Sequence, residues 1–234
     1  MQPDKIFETV IDTPIVFDEL TQFSNLIVPY SKCHPKFNAK VLEQCHLDRD
    51  NETRSGSLAG NISASVGASD AMRDLLLPVI YEALDKMTGN DKKDMVWEPL
   101  DLWINFQKKH EFNPIHRHFG LYSFVYWVQI PYNIEDEMEL PFVKSSASPA
   151  ASCFSLTYYN LLGNMCQKPF MLTKGLHDGG FIIFPCSMQH QVHPFYTSDD
   201  ERISISGNVT YKSVSDPDFI PERFLLRNVN LKIG

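Results

Sequence analysis

The sequence lacks any apolar stretch long enough to cross a membrane. The longest such run, Leu75 to Tyr81, is interrupted by Pro78 and falls well short of the roughly 20 apolar residues that a spanning helix needs. The start of the chain, Met1 to Lys5, has no basic region followed by an apolar one, as a secretion signal would. We therefore expect a soluble, cytoplasmic protein with no membrane contact.

Cysteine is scarce and its spacing is unsuited to a structural framework. The five cysteines are scattered along 234 residues, with no C-x-x-C pair, which argues against a zinc knuckle, a redox dithiol or a disulfide scaffold. A chain of this length buries enough apolar surface to fold without such links. The pattern fits a reducing compartment.

An excess of positive charge is also missing. The formal net charge is −8 and the isoelectric point is about 5.4. General nucleic-acid binding needs a concentrated basic surface, so this class of function is not expected.

The chain divides at two stretches rich in small and polar residues, Asp50 to Ser69 and Ser145 to Ser152, which we interpret as loops. Between them, apolar residues recur at spacings of three and four from Asp70 to Met87, the pattern of one amphipathic helix packed on a sheet. Ser69 or Asp70 is suited to cap its start and Gly89 to end it.

Beyond about Val96 the texture changes to short runs of β-forming residues separated by turn residues. The predicted strands are Leu102 to Phe106, Tyr122 to Ile130, Phe154 to Tyr159, Phe181 to Phe184 and Ile203 to Tyr211. Many short strands without intervening helices indicate a sandwich or a barrel.

The last of these strands has a polar face. Alternation places Arg202, Ser204, Ser206 and Asn208 on one side and the isoleucines on the other. A polar face that carries an arginine and two serines suits a barrel lining that binds an anion.

Two histidine motifs could supply metal ligands. His116 and His118 are two residues apart, so in a strand both imidazoles would point into one barrel. A second motif follows an apolar strand and a turn at Pro185 with His190, and Arg202 comes 202 − 190 = 12 positions later. The order of these motifs is the one that a single metal and anion site in a barrel would require.

The residues that carry a family resemblance are the runs Trp103 to Asn105, Phe112 to His118, Ser123 to Pro131 and Gly180 to His190, followed by Pro194 and by Arg202 to Ser204. This pattern resembles a small bacterial and phage-encoded group of 2-oxoglutarate/Fe(II)-dependent oxygenases, and more distantly the prolyl hydroxylases. The resemblance covers roughly 97–210.

The resemblance implies a mainly β protein with a helical N-terminal annex, built on a double-stranded β-helix, that is, a jelly-roll or cupin-like barrel. On this basis we expect an N-terminal segment 1–95 with supporting strands and the amphipathic helix. A catalytic core would occupy 96–212, and a C-terminal tail, 213–234, would pack on it.

The resemblance also implies site residues. His116 matches the first iron ligand, His190 the distal histidine ligand and Arg202 the partner of the far carboxylate of 2-oxoglutarate. Ser204 would share that carboxylate, and Asn105 and Tyr126 are further candidates for the cavity wall. Neutral imidazoles suit Fe(II), and a guanidinium grips a carboxylate with two parallel hydrogen bonds.

His118 departs from the prolyl-hydroxylase pattern, which has Asp at this position. His118 could complete an all-histidine site, could line the cavity while water or an anion fills the third position, or could mark a weakened site; we favour coordination. Glu111 and Asp178 are the nearby carboxylates that could replace it, although Asp178 precedes Gly179-Gly180 and is typical of a turn.

The expected function is therefore that of a dioxygenase using Fe(II), 2-oxoglutarate and O2, which hydroxylates a substrate and releases succinate and CO2. A protein side chain is preferred as substrate, and a homodimer is possible. The alternatives are a three-histidine dioxygenase without a keto acid, which would leave Arg202 and Ser204 without their partner, and a non-catalytic jelly-roll module. Loops are the usual place for specificity, so Asp50 to Ser69 and Glu135 to Ser152 are candidate lids.

Overall fold

The computed structural model describes residues 6–16, 27–50, 60–89, 95–147, 150–160 and 162–213. The eleven strands in these ranges form two antiparallel sheets. In chain order they are β1 (Phe7–Val16), β2 (Ile27–Cys33), β3 (Ala64–Gly67), β4 (Met95–Gln107), β5 (Asn113–His116), β6 (Tyr122–Gln129), β7 (Phe154–Tyr159), β8 (Met165–Phe170), β9 (Gly180–Pro185), β10 (Gln189–Val192) and β11 (Arg202–Ser213). The helices are α1 (Pro35–Leu47), α2 (Asp70–Thr88), α3 (Ile134–Met138) and α4 (Pro141–Lys144), with a 3-10 turn at Asp48–Asp50.

The larger sheet has the strand order β1-β2-β9-β6-β11-β4-β3, and the smaller sheet has the order β5-β10-β7-β8. Side chains from both sheets, among them Trp127 and Phe184 of the larger and Phe154 and Leu156 of the smaller, form one buried cluster between them. The protein is thus the double-stranded β-helix that the resemblance implied.

The other face of the larger sheet is covered by helices α1 and α2. Helix α2 buries Leu76, Ile80 and Leu84 against that sheet, and each such side chain contributes about 1.5–3 kcal/mol on leaving water. The Ser69 hydroxyl accepts a hydrogen bond from the Met72 amide, and Gly89 ends the helix with φ 63°, a conformation that glycine adopts without strain. The predicted amphipathic helix and its caps are confirmed.

Alternation along β11 determines what faces the space between the sheets. Ile203 and Ile205 pack in the cluster beneath the helices, whereas Arg202, Ser204 and Ser206 line the cavity on the opposite face. The predicted polar face of this strand is confirmed.

Strands occur at or near all five predicted positions, but one predicted loop contains an unexpected strand. Residues 64–67, within the expected loop Asp50 to Ser69, form β3 and pair with β4. Ser65 anchors this edge because its hydroxyl donates to the Asn105 side chain at 2.9 Å. Residues 51–59 of the same loop and 214–234 of the expected tail lie outside the described residues.

The segment before β4 extends the larger sheet. Strands β1 and β2 form one outer part of that sheet and β3 forms the other. Residues ahead of the expected core therefore share its backbone hydrogen bonding.

The five cysteines are free thiols. In the part of the chain that is described, no helix combines the length and apolar character needed to span a bilayer.

Candidate metal and co-substrate site

Three histidines meet at one end of the cavity between the sheets. His116 ends β5 and His190 lies in β10, and the two are direct partners across the antiparallel pair formed by these strands. His118 lies two residues beyond the end of β5, where its amide donates to the carbonyl of Cys186. The two ligand motifs, distant in sequence, are therefore brought together by the smaller sheet and the turn after β9.

The imidazole nitrogens are close enough to hold a single ion. One donor atom from each of His116, His118 and His190 lies within 4.8 Å of the other two. The ring centroids of His116 and His190 are 4.2 Å apart, and His118 lies 5.0 Å from each. His190 is 5% exposed, and the other two are half-buried.

Backbone carbonyls select which nitrogen of two of these rings is available. Nδ1 of His116 lies 2.7 Å from the Pro114 carbonyl, and Nδ1 of His190 lies 3.2 Å from the Met188 carbonyl. Because a carbonyl only accepts, each Nδ1 carries the proton and each Nε2 keeps a free lone pair. Both rings are in the tautomer that a metal ligand needs.

Burial keeps the imidazoles of His116 and His190 neutral. It lowers the pKa of His116 and, with the neighbouring His116 and His118 adding to the effect, lowers the pKa of His190 well below its usual value. Only the neutral imidazole has a lone pair to donate, so the electrostatics of the cavity favour metal binding over protonation. The donor set fits Fe(II), for which imidazole is a suitable ligand.

Glu111 and Asp178, the carboxylates that could replace His118 as a metal ligand, are bonded to backbone amides instead. Both oxygens of Glu111 accept from amides: Oε1 from that of Ser63, just before β3, and Oε2 from that of Lys108 in its own turn. Asp178 accepts from the amides of Ile130 and Gly175. Within the described residues, the group of potential ligands at this place consists of the three histidines.

The cavity that the histidines adjoin contains about 530 Å³ of space between atoms, part of it open to solvent. Its wall from the larger sheet is arranged in rows across neighbouring strands. Ser204 of β11 is flanked by Asn105 of β4 and Trp127 of β6, and Arg202 is flanked by Gln107. All five side chains line the cavity.

Arg202 is 2% exposed and is held by four residues. Its Nε and Nη2 donate to Oε1 of Gln107 at 3.1 and 2.7 Å. Its Nη1 donates to the Tyr132 hydroxyl and the Ser152 carbonyl, and Nη2 also donates to the His193 carbonyl, at 2.7, 2.8 and 2.8 Å. A guanidinium has five N–H groups, so each has an acceptor from the protein.

Tyr126 does not contribute to the cavity wall, and that prediction is wrong. Tyr126 pairs with Ile205 on β11, whereas its neighbour Trp127 pairs with Ser204. The Tyr126 ring packs in the cluster under the helices, and its hydroxyl donates to the Asn38 side chain at 3.0 Å. Successive residues of a strand point to opposite faces, so Trp127 takes the place expected for Tyr126.

Sequence reasoning also missed Gln107 and Trp103. The signal was present, since alternation along β4 sets Trp103, Asn105 and Gln107 on one face and Leu102, Ile104 and Phe106 on the other. Only Asn105 of the first set had been proposed, and the structure places its two neighbours in the same wall.

The two remaining histidines near the motifs lie outside the metal cluster. His110 is exposed and has φ 70° in a turn, as expected of a turn position. The Nε2 of His193 lies 3.1 Å from the Ser155 hydroxyl, and burial beside Arg202 lowers the pKa of His193 to about 4. Its backbone carbonyl, rather than its ring, contributes to the site by accepting from Arg202.

Comparison with known proteins agrees with this geometry. Residues 101–208 match the family model described as "Putative 2OG-Fe(II) oxygenase". This segment begins in β4, ends in β11 and contains the three histidines and Arg202. No curated protein sequence matches the chain significantly.

Among solved structures, the non-heme alpha ketoglutarate dependent epimerase SnoN from nogalamycin biosynthesis is 15% identical, with a TM-score of 0.51, and the match covers 76% of this chain and 72% of that one. An oxidoreductase of the 2OG-Fe(II) oxygenase family from Burkholderia pseudomallei is 12% identical, with a TM-score of 0.47 and coverage of 74% and 78%. A prolyl hydroxylase from Trichoplax adhaerens is 10% identical, with a TM-score of 0.46 and coverage of 78% and 80%. At 15% identity, the likeness to SnoN concerns the fold.

The family match spans the strands that build the cavity, and the three-histidine cluster at its end fits an iron ion. The part of this chain that builds the cavity, residues 101–208, therefore matches the 2-oxoglutarate/Fe(II)-dependent oxygenases, enzymes whose cofactors are Fe(II), 2-oxoglutarate and O2.

Proposed function

We propose that this protein hydroxylates a second substrate at the expense of 2-oxoglutarate. The balanced reaction consumes the substrate R–H, 2-oxoglutarate and O2 and yields R–OH, succinate and CO2. The observation that carries the proposal is the presence of three clustered imidazoles and a buried guanidinium in the wall of one cavity.

His116, His118 and His190 would hold the iron. The first two face the cavity from the end of β5, and His190 faces it from β10. When bound, Fe(II) chelated by 2-oxoglutarate supplies the reductive activation of O2. A neutral third ligand in place of a carboxylate leaves one more positive charge at the ion, which strengthens the attraction for the anionic keto acid.

Arg202 and Ser204 would hold the far carboxylate of the keto acid, and Asn105 would form part of the wall beside them. Arg202 brings a positive charge into a buried setting, where its attraction for an anion is much stronger than in water. Ser204 lies two residues farther along the same face of β11. This arrangement would orient the keto acid with its opposite end toward the histidines.

The aromatic residues of the cavity would keep water away from the reacting groups. Trp103, Trp127, Phe154 and Phe184 line it together with the polar row, so water has few hydrogen-bonding partners on that side. Exclusion of water protects a reactive site from side reactions.

A protein side chain remains the proposed substrate. The loops proposed as lids are Asp50 to Ser69 and Glu135 to Ser152. In the first, 51–59 lie outside the described residues and 64–67 form β3; the described part of the second includes most of α3 and all of α4. Specificity would be determined by these segments, since they connect the strands that build the barrel.

A second candidate is a three-histidine dioxygenase that uses no keto acid. The saturation of all five N–H groups of Arg202 by Gln107, Tyr132, Ser152 and His193 favours this alternative, because the guanidinium then needs no external anion. The two candidates differ in whether 2-oxoglutarate binds at all.

The deciding experiment is an anaerobic titration of metal-free protein with Fe(II) and 2-oxoglutarate, followed by exposure to air. We expect the weak visible charge-transfer band of the keto-acid chelate and slow formation of succinate even without the second substrate. An Fe(II)-loaded protein that shows neither the band nor succinate would contradict the proposal and leave the second candidate.

A further inference from the structure

The amide of Gln107 occupies the Nε–Nη2 edge of Arg202 in the cavity wall. Gln107 and Arg202 are direct partners across the β4–β11 pair, and both line the cavity. A single oxygen, Oε1 of Gln107, accepts from both Nε and Nη2 of Arg202. Nε and an Nη group form the side of a guanidinium that commonly binds a carboxylate with two parallel hydrogen bonds.

The orientation of this amide is fixed by its neighbours. Nε2 of Gln107 donates to the carbonyl of Glu111, which has no proton to give. A reversed amide would direct its N–H groups at the guanidinium and its oxygen at a carbonyl, so both contacts would be repulsive. The oxygen of Gln107 therefore faces Arg202.

The other acceptors of Arg202 are less easily displaced. Two of them, Ser152 and His193, contribute backbone carbonyls, and the Tyr132 hydroxyl is itself held by donating to the Ser152 carbonyl at 2.6 Å. Gln107 alone among the four residues both lines the cavity and binds through a side-chain amide. A rotation of that side chain would free two N–H groups without moving the backbone.

We propose that Gln107 is a specificity-determining residue of the co-substrate site, holding the position that the far carboxylate of 2-oxoglutarate takes when it binds; this rests on the proposed function of Arg202. A carboxylate displaces the amide because it brings a full negative charge and can accept from Nε and Nη2 in two parallel hydrogen bonds, whereas Gln107 offers one neutral oxygen. A keto acid with an uncharged far end gains nothing from the exchange. Gln107 thus sets how strongly the site prefers ligands with a negative charge at that end, because each such ligand must first displace the amide from Arg202.

The test compares 2-oxoglutarate with 2-oxopentanoate, which has the same five-carbon chain without the far carboxylate. Both chelate metal in the same way, so the ratio of their affinities isolates the contribution of the far carboxylate. Binding would be measured anaerobically by calorimetry on Mn(II)-loaded protein, which requires no turnover.

Gln107→Ala removes the competing amide, and we expect the affinity ratio to rise by about tenfold, since one hydrogen bond to a charged group is worth roughly that factor. Gln107→Glu places a permanent carboxylate against Arg202, and the ratio should fall to within a few-fold of 1. Gln129→Ala is the matched control, because Gln129 donates to the Glu201 carbonyl beside Arg202 without touching the guanidinium.

Arg202→Leu separates this inference from the proposed function. If Arg202→Leu abolishes the preference for 2-oxoglutarate while both Gln107 variants retain the wild-type ratio, Arg202 is the anchor and the inference about Gln107 is wrong. If Arg202→Leu also retains the wild-type ratio, Arg202 does not bind the far carboxylate of 2-oxoglutarate. The proposed role of Arg202 and the inference about Gln107 are then both wrong. Unchanged Mn(II) affinity and cooperative unfolding would verify that each variant is folded.

Discussion

The backbone carbonyl of Ser152 lies 2.8 Å from Nη1 of Arg202 and accepts a hydrogen bond from it. Ser152 is fully buried and has φ 66°, a conformation that non-glycine residues seldom adopt. Its hydroxyl donates to Glu137 at 2.6 Å, and its amide donates to the Pro194 carbonyl. One strained residue thus links a buried cation to a buried anion.

The first prediction concerns that anion. Both oxygens of Glu137 are occupied, because they accept from the amides of Tyr196 and Thr197 and from the hydroxyls of Thr197 and Ser152. We expect Glu137→Ala to lower the free energy of unfolding by about 3–5 kcal/mol, since the change leaves the buried Ser152 hydroxyl and three part-buried donors of Tyr196 and Thr197 without their acceptor. Urea denaturation would measure it.

Glu139→Ala is the control for this substitution. Glu139 pairs with Lys144 at the surface, where both side chains are well exposed, and exposed pairs contribute about 0–1 kcal/mol. Equal urea midpoints for the two alanine variants would show that the Glu137 network does not stabilise the fold.

The second prediction concerns the third metal ligand. If His118 coordinates the ion, His118→Ala should lower Fe(II) affinity about as much as His116→Ala or His190→Ala, because each removes one donor. His118→Asp should retain iron, since a carboxylate is also a suitable ligand for Fe(II). Anaerobic equilibrium dialysis of the four variants would measure this, and wild-type affinity in His118→Ala alone would exclude His118 from the ligand set.

The third prediction uses two glycines of the larger sheet. A Cβ at Gly207 would lie 2.7 Å from the Phe124 ring and 2.8 Å from the Asp101 carbonyl, whereas a Cβ at Gly67 would meet nothing within 4 Å. We expect Gly207→Ala to destabilise the protein by about 1–3 kcal/mol through overpacking. Gly67→Ala should change stability by no more than about 1 kcal/mol, because the substitution mainly restricts the unfolded chain.

Thermal unfolding of these two variants side by side would distinguish close packing from a general cost of alanine in strands. A Gly207→Ala protein as stable as Gly67→Ala would contradict the close approach of β4, β6 and β11 around this residue.

The fourth prediction concerns pH. Burial and Arg202 lower the pKa of His193 to about 4 in the folded protein, whereas an unfolded histidine titrates near 6.5. As the pH falls below about 6.5, the unfolded chain takes up a proton that the folded protein does not bind, so stability falls. The loss continues until the pH reaches the folded pKa.

His193→Gln should therefore flatten part of the decline in melting temperature of the metal-free protein between about pH 7.5 and pH 5. His116 and His190, whose pKa values are also lowered by burial, would keep the remainder. Parallel melting curves for wild type and variant across this range would show that His193 titrates normally.

How far the sequence predicts this site depends on polarity along each strand. In β11, serines alternate with isoleucines, so the direction of Arg202 and Ser204 could be read from the pattern. In β6 every residue from Ser123 to Val128 is buried, because one face meets the helices and the other meets the second sheet. Because such a strand does not alternate between polar and apolar residues, the sequence does not show which residues face the cavity. For this reason the prediction named Tyr126, although its neighbour Trp127 is the residue that lines the cavity.

The first part of the chain shows a different limit. Helix α2 was predicted from its apolar spacing, but α1 buries only Val41 and Cys45 and leaves little periodic signal. Strands β2 and β3 are joined to the sheet by long-range pairing with β9 and β4. Strand partners so far apart in sequence are determined by the completed fold, so no local sequence pattern predicts which strands pair.

The cross-strand pairing of His116 with His190 has a consequence for how the barrel opens. Strand β5 is a short edge strand whose pairing within the described sheet is with β10. An ion bound by both histidines closes a loop of 190 − 116 = 74 residues, and loops of that length lose substantial chain entropy on closure. A bound ion would therefore hold the edge of the smaller sheet closed, and we expect its removal to let β5 separate while the larger sheet stays folded. Proteolysis of the metal-free protein would accordingly begin around β5, at the segment that carries the first two proposed ligands.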